Sequence, residues 1–371
     1  MNGAGILTPV NSEAPAAPIT LLSAVLGQDR AVSTLHAAVA SGRVHHAWIF
    51  AGPPGVGKFT TALAFGALVL DPTTAPDLAG VPAPEADSQT QRLVARGAHP
   101  DLHIITRELA RFSDDKQVRD RKLTTIPKEV VDERLLRPIA LAPTLRTGAG
   151  VSKVFIIDEA ELLDRSTAHA PVQNSILKTL EEPPAGSMVI LVTSAEEALL
   201  PTIRSRCQRV AFGALDAGAM RAWFGRLGVD IPPDERAWIE RFASGSPGRA
   251  LEGVRSKLYA WARALEPMLD RAEAGAFHPD LGPAMTGLVT EWVEQRLKET
   301  PSASKESATA GAVRLVLSIL AERQRARLRS GDPSGALEAI ERVLDAERHV
   351  AAHVPVNFAL ENLAAQLARA G

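Results

Sequence analysis

The segment GPPGVGKFT, Gly52 to Thr60, has the residue types and spacing to do chemistry. Its glycines let consecutive backbone N–H groups turn inward while the start of a helix faces the same point, an arrangement that holds phosphate groups. In this reading Gly52, Pro53, Pro54, Gly55, Val56 and Gly57 form the loop, and Lys58 meets the β- and γ-phosphates of a nucleoside triphosphate. The pattern is imperfect. The residue after the lysine should be Ser or Thr, whose hydroxyl helps to hold Mg²⁺, and here it is Phe59. Thr60 lies about 100° further round the helix and does not substitute without a local shift.

A second group follows at VFIIDEAE, where Asp158 and Glu159 come directly after an apolar run. Two carboxylates at a strand's carboxyl end can organise Mg²⁺, with Asp158 as the metal ligand, and orient a water for attack on a γ-phosphate. Alone, the pair also reads as a strand end capping the next helix. His45 and His46 lack further ligands at a recognised metal spacing and read as helix-end and packing residues. Trp48 reads as core. Cys207 is the single cysteine, so neither an intramolecular disulfide nor a four-thiolate zinc site can form, and it reads as a buried small hydrophobe.

These residues need a frame. Ala47 to Ala51 (AWIFA) is a short apolar run ended by Gly52, predicting a buried strand, and KFTTALAFGALVL predicts a helix. Further strands are expected at LHIIT (102–106), KVFII (153–157) and MVILVTS. Helices are expected at Glu129 to Ile139 and around ILKTL, with a loop or insertion over 71–87. Strands separated by helical stretches imply a parallel sheet covered on both faces. Beyond about Ala211 strand signals end, and an alanine-rich helical region follows, with breaks near 228–233, 245–247 and 277–283. A connector is expected at 301–308 and a split near Pro355.

With 371 residues, two or three domains are expected. Apolar residues make up 46% and charged residues 23%, and no apolar run approaches the roughly 20 residues that cross a bilayer. A membrane-spanning or wholly disordered chain is excluded. Lysine and arginine (41) nearly balance aspartate and glutamate (43), and 4% of residues are aromatic, which excludes a polycationic nucleic-acid coat and a base-stacking platform. Residues 1–20 read as a flexible tail without a secretory signal, implying a cytoplasmic location.

The strings HHAWIFAGPPGVGK, LKTLEEPP and PTIRSRC occur in this order. Together they resemble the clamp-loader AAA+ subunits of bacterial DNA polymerase III, of the delta-prime type, from LGQDRAV at Leu26 to NFALENL at Asn357. The resemblance implies an α/β AAA+ phosphate-loop NTPase module over 21–211, a helical lid over 212–275 and a helical collar over 276–371. It implies that Arg206, in the SRC string, reaches the ATP site of a neighbouring subunit. Thr193 corresponds to sensor 1 and Arg249, in GSPGRAL, to sensor 2. Gly27 and Gln28 correspond to the segment beside adenine. Read without the family, Arg206 is a surface salt-bridging residue and Thr193 a strand-terminal residue satisfying backbone.

The implied partners are the delta and gamma/tau subunits, the sliding clamp and, through the complex, primed DNA, with no membrane. ATP and Mg²⁺ are the implied cofactors. Relatives with a four-cysteine zinc module differ here, because this chain has no cysteine in that region, and zinc is not expected. Phe59 makes slow or absent ATP turnover the expectation for the chain alone. Two other readings stay open: an ATP-hydrolysing gamma/tau-like motor subunit, and a homo-oligomeric AAA+ enzyme of DNA repair or helicase loading.

Overall fold

The computed structural model describes residues 20–120, 124–145, 150–163, 170–299, 304–331 and 333–368. Nearly all of the expected tail, and the start of the connector at 301–308, lie outside these residues. Two compact units form. One runs through Val229 and includes Gly245–Gly248; the other comprises Asp230–Ser244 and the chain from Arg249 onward.

The first unit starts with helix α1 (Asp29–Ala40), strand β1 (Ala47–Ala51) and helix α2 (Lys58–Leu70). The expected loop over 71–87 contains a two-stranded antiparallel ladder, β2 (Ala75–Pro76) with β3 (Pro82–Ala83), and is followed by α3 (Gln89–Ala95). Its composition hid it, because two-residue strands carry no periodicity. Asp71 anchors the segment, accepting hydrogen bonds from the Thr73, Ser88 and Gln91 side chains. Strand β4 (Leu102–Ile105) leads to the short helix α4 (Lys116–Arg119). The helix expected at Glu129–Ile139 runs as α5 (Lys128–Val131), a π-helical stretch (Asp132–Leu136) and α6 (Arg137–Ile139).

Strand β5 (Lys153–Ile157), helix α7 (Pro171–Glu181) and strand β6 (Ser187–Thr193) continue the alternation. Helix α8 (Pro201–Arg204), strand β7 (Gln208–Ala211) and helix α9 (Ala217–Leu227) complete the unit. The five long strands form one parallel sheet in the order β4-β5-β6-β1-β7. Every residue of β1, β5 and β6 is buried, which is why these strands read as continuous apolar runs. Alternate residues pack on opposite faces. Ile49, Phe155, Ile157 and Leu191 join Val130, Ile176 and Leu180 in one core. On the other face Trp48 and Phe50 meet Phe65 of α2, with ring centroids 5.3 and 6.3 Å apart.

The second unit is all helical: α10 (Pro233–Ala243), α11 (Pro247–Arg255, beginning in the first unit), α12 (Leu258–Glu273), α13 (Leu281–Glu299), α14 (Lys305–Ser330), α15 (Pro333–Ala351) and α16 (Val356–Leu367). Helices α13 to α16 each contact the next, and α13 also contacts α16, closing a four-helix ring. Their shared core includes Leu281, Met285, Val316, Leu320, Leu360 and Leu363. Pro355 caps α16, so the expected split falls there. Among the described residues no helix is long and apolar enough to cross a membrane.

Candidate phosphate-loop site and arginine spur

The parallel sheet fixes the site before any side chain is considered. β1 lies between β6 and β7, with Ala51 paired to Thr193, and β5 lies beyond β6. The segments leaving β1, β5 and β6 therefore emerge at one edge, the carboxyl edge where open α/β sheets bind ligands. That brings the loop at 52–57, the carboxylates after Ile157 and the polar residues ending β6 together.

Every carbonyl of the loop is satisfied from within the protein. Lys58 Nζ donates to the Gly52 and Pro53 oxygens at 2.7 and 2.6 Å. Ser246 Oγ donates to Pro54 O (2.9 Å) and Gly248 N to Gly55 O (2.9 Å). Gln28 Nε2 donates to Val56 O (3.1 Å), while the Thr61 N–H and hydroxyl both reach Gly57 O. Gly52 N donates to Thr193 O at 3.3 Å and the two prolines have no N–H, which leaves the N–H groups of Gly55, Val56 and Gly57 for a ligand. The first N–H groups of α2 have no partner within the helix. Gly57 caps α2 with φ 100°, a left-handed conformation that costs a glycine little. This cradle has the chemistry of a polyphosphate site.

Lys58 is buried and burial holds its ammonium below the usual lysine range, opposed by Glu161 and Asp158. Nζ also donates to Ser194 Oγ at 3.0 Å. Burial pushes the Asp158 carboxyl up to about 6, and Glu159 and Glu161 push the same way against the Glu159 N–H and Lys58. Glu159 adopts φ 51° and pairs with Arg107 at 3.4 Å. Thr193 is buried, and its Oγ1 accepts from Ala195 N at 3.1 Å, as a strand-terminal threonine does. Phe59 and Thr60 are both half-buried in the first turn of α2.

The residues present thus fit phosphate well and a divalent cation incompletely. Asp158 is available as a ligand, yet the position after Lys58 offers a phenyl ring where an oxygen is needed. Among the described residues no group of three or more His, Cys, Asp or Glu side chains is placed to hold a metal ion.

Four residues of the site escaped sequence reasoning. Ser194 follows Thr193 directly and Glu161 lies two residues after Glu159, and Glu161 Oε1 accepts from Ser194 N at 3.1 Å, linking the segments that leave β5 and β6. Ser246 and Gly248 are distant in sequence, and only their hydrogen bonds reveal them. Gln28, expected beside a base, braces the loop: it also bonds Gly213 through Nε2 (2.8 Å) and Oε1 (3.2 Å). Gly27 takes φ 66° at the turn into α1.

Arg206 lies away from this cradle's own hydrogen-bond network, just after α8. Its side chain is 35% exposed and pairs with Glu181 at 2.5 Å. Cys207 packs against the sheet core, and burial pushes its thiol up to about 12. Arg249 belongs to the second unit, where its guanidinium lies 4.7 Å over the Phe242 ring. Burial lowers its pKa, Arg325 adds to this, and Glu322 and Glu252 oppose it. His45 Nδ1 contacts Ala47 O at 2.8 Å, and His46 Nε2 contacts Leu180 O at the end of α7, also at 2.8 Å.

A parallel sheet with flanking helices, a phosphate loop after its first strand β1 and an all-helical region beyond define a phosphate-loop NTPase-type α/β protein. Residues 27–216 match the family model described as DNA polymerase III, delta subunit, and the chain belongs to that family. The DNA polymerase III subunit delta' of Pseudomonas aeruginosa is 29% identical over 57% of this chain and 58% of its own length. The subunit tau of Salmonella typhimurium is 33% identical over 53% of this chain and 26% of its own length. Among solved structures, a DNA polymerase III gamma subunit-related protein from Thermotoga maritima covers 91% of this chain and 99% of its own, at 14% identity and a TM-score of 0.42.

Proposed function

We propose that this chain is the delta-prime-type subunit of a DNA polymerase III clamp loader, taking part in ATP-dependent loading of a sliding clamp onto primed DNA. Its partners in this reading are the delta and gamma/tau subunits, the clamp and, through the complex, the DNA. Residues 212–275 serve as a lid and 276–371 as a collar joining sister subunits, with the work done in the cytoplasm. Arg206 reaches a neighbouring subunit's ATP and stabilises charge developing on its γ-phosphate.

The observation that carries this reading is Arg206 itself: a guanidinium about one-third exposed beside a short helix, outside the chain's own phosphate-loop network. Within that network, Gly52 to Gly57 and Lys58 bind the phosphates of ATP, Thr60 and Phe59 line the first helical turn, and Asp158 is the residue that would hold Mg²⁺. Glu159 and Thr193 would orient water, and Arg249 would meet the nucleotide from the lid. When bound, Mg²⁺ supplies charge neutralisation on the phosphates. Because Phe59 contributes no oxygen to it, binding outlasts catalysis in this subunit.

Arg206→Ala, placed in the fully assembled loader, is expected to lower clamp-dependent ATP turnover by roughly 100-fold or more at the site it serves, while the chain's own melting temperature stays put. An unchanged loading rate in that complex removes the proposal. The gamma/tau-like motor reading draws on Asp158 and Glu159, which stand at the end of β5 as an active site requires. Brisk ATP hydrolysis by the purified chain would select it. Sedimentation as a homo-oligomeric ring would instead select a repair or helicase-loading enzyme.

A further inference from the structure

The strings LKTLEEPP and PTIRSRC are separate in sequence and one object in the structure. Helix α7 stops at Glu181 because Pro183 and Pro184 follow. A carboxylate at that end adds to the negative pole formed by the last helical carbonyls, so the position attracts a cation. Arg206 provides it. Its Nη2 meets Glu181 Oε1 at 2.5 Å, and its Nη1 donates to Thr202 O at 2.8 Å, with Ser205 Oγ at 3.4 Å.

The two elements are also locked below the surface. Gln173 of α7 is fully buried; its Nε2 donates to Ala198 O (3.1 Å) and its Oε1 accepts from Leu200 N (2.8 Å), just ahead of α8. Ile176, Leu180, Leu199 and Ile203 share one core. Beyond that core, Arg206 N donates to Ile203 O at 3.1 Å, fixing the backbone from which the side chain departs. An arginine on a mobile loop samples many rotamers, whereas here a carboxylate and a carbonyl grip both terminal nitrogens on a rigid base. Their grip leaves further guanidinium N–H groups for a ligand.

We propose that Glu181 is the positioning residue for Arg206, holding the guanidinium ready to meet an anionic oxygen on an adjoining subunit. The proposal rests on the donor role given to Arg206 above. Glu181 touches no nucleotide; it acts by removing rotamer freedom before the encounter.

The test uses the complete loader carrying Glu181→Ala, Glu181→Gln, Arg206→Ala or the Ala/Ala double variant, with kcat and KM for ATP measured in each. Glu181→Ala is expected to lower kcat about 5-fold or more with KM held within about 2-fold. Glu181→Gln keeps an acceptor of the same length and should recover most of that loss. On the Arg206→Ala background, Glu181→Ala should cost nothing more. A wild-type kcat for Glu181→Ala, a loss fully additive with Arg206→Ala, or a Gln variant as poor as the Ala variant overturns the positioning role. If Arg206→Ala itself leaves turnover unchanged, the donor reading fails first. Should Glu181→Ala not enter the complex, the same cycle run with Glu181→Met, which keeps the side-chain length but offers no carboxylate acceptor, decides, a non-additive loss supporting the role and a wild-type or additive result rejecting it.

Discussion

Asp158 ionises near pH 6 in the folded chain against an ordinary value of 3.8, so between these values the folded state holds the extra proton. Protonation therefore stabilises the fold as pH falls through 6, and above 6 the fold carries a desolvated carboxylate beside Glu159 and Glu161. Asp158→Asn removes that cost and keeps the oxygen that accepts the Glu159 N–H at 3.0 Å. The variant should melt higher than wild type at pH 7.5, by on the order of 1 kcal/mol, with the gain shrinking to nothing by about pH 4. Calorimetry across pH 4 to 8 checks it; a pH-independent increment would point to packing instead. At the same scale, Phe59 was legible at once, because one missing hydroxyl in a fixed motif is a property of residue order. Glu161 and Ser194 were not, since their value lies in facing Lys58 and each other across two strand ends.

Elements position these groups, and the phosphate loop depends on pieces that touch no phosphate. Gln28 is buried and spans Val56 and Gly213 with three hydrogen bonds. Gln28→Ala leaves those backbone groups unsatisfied at a cost of about 1–3 kcal/mol. Urea denaturation should report that loss, and titration with a non-hydrolysable ATP analogue should show weaker binding. Unchanged values in both would mean the loop holds its shape without the brace. Strands β1, β5 and β6 were readable because both of their faces are buried. Strand β7 was not: Gln208, Arg209 and Ala211 are exposed on the sheet's edge, leaving Val210 alone to signal burial. The helix after Pro127 was found, while its π-helical middle was not, since a shift in hydrogen-bond register leaves little trace in hydrophobic spacing.

Over the whole molecule, the sheet of the first unit and the helices of the second each bury their own apolar residues, so each can be perturbed by itself. Leu320 is fully buried in the helical core of the second unit. Leu320→Ala should cost that unit about 2–5 kcal/mol. Hydrogen exchange followed by mass spectrometry should show lost protection over α13 to α16, with β5 and β6 retaining theirs. Equal loss in both units would show that they unfold as one. The helical character of this unit was plain from its composition. Its closed ring of four helices was not, because each apolar face is visible in sequence but its partner is not.

The order of residues by itself determined the alternation of buried strands and helices, the phosphate loop with its defective cation position, and the two strings that carry Glu181 and Arg206. Each is a local property, set by side-chain type and short-range spacing. Only the tertiary structure decided that the carbonyls of the loop are held by Gln28, Ser246 and Gly248, and that Glu181 grips Arg206. Those contacts join residues from 25 to 193 positions apart, and such pairs meet only when a parallel sheet and its crossover helices have fixed where every strand ends.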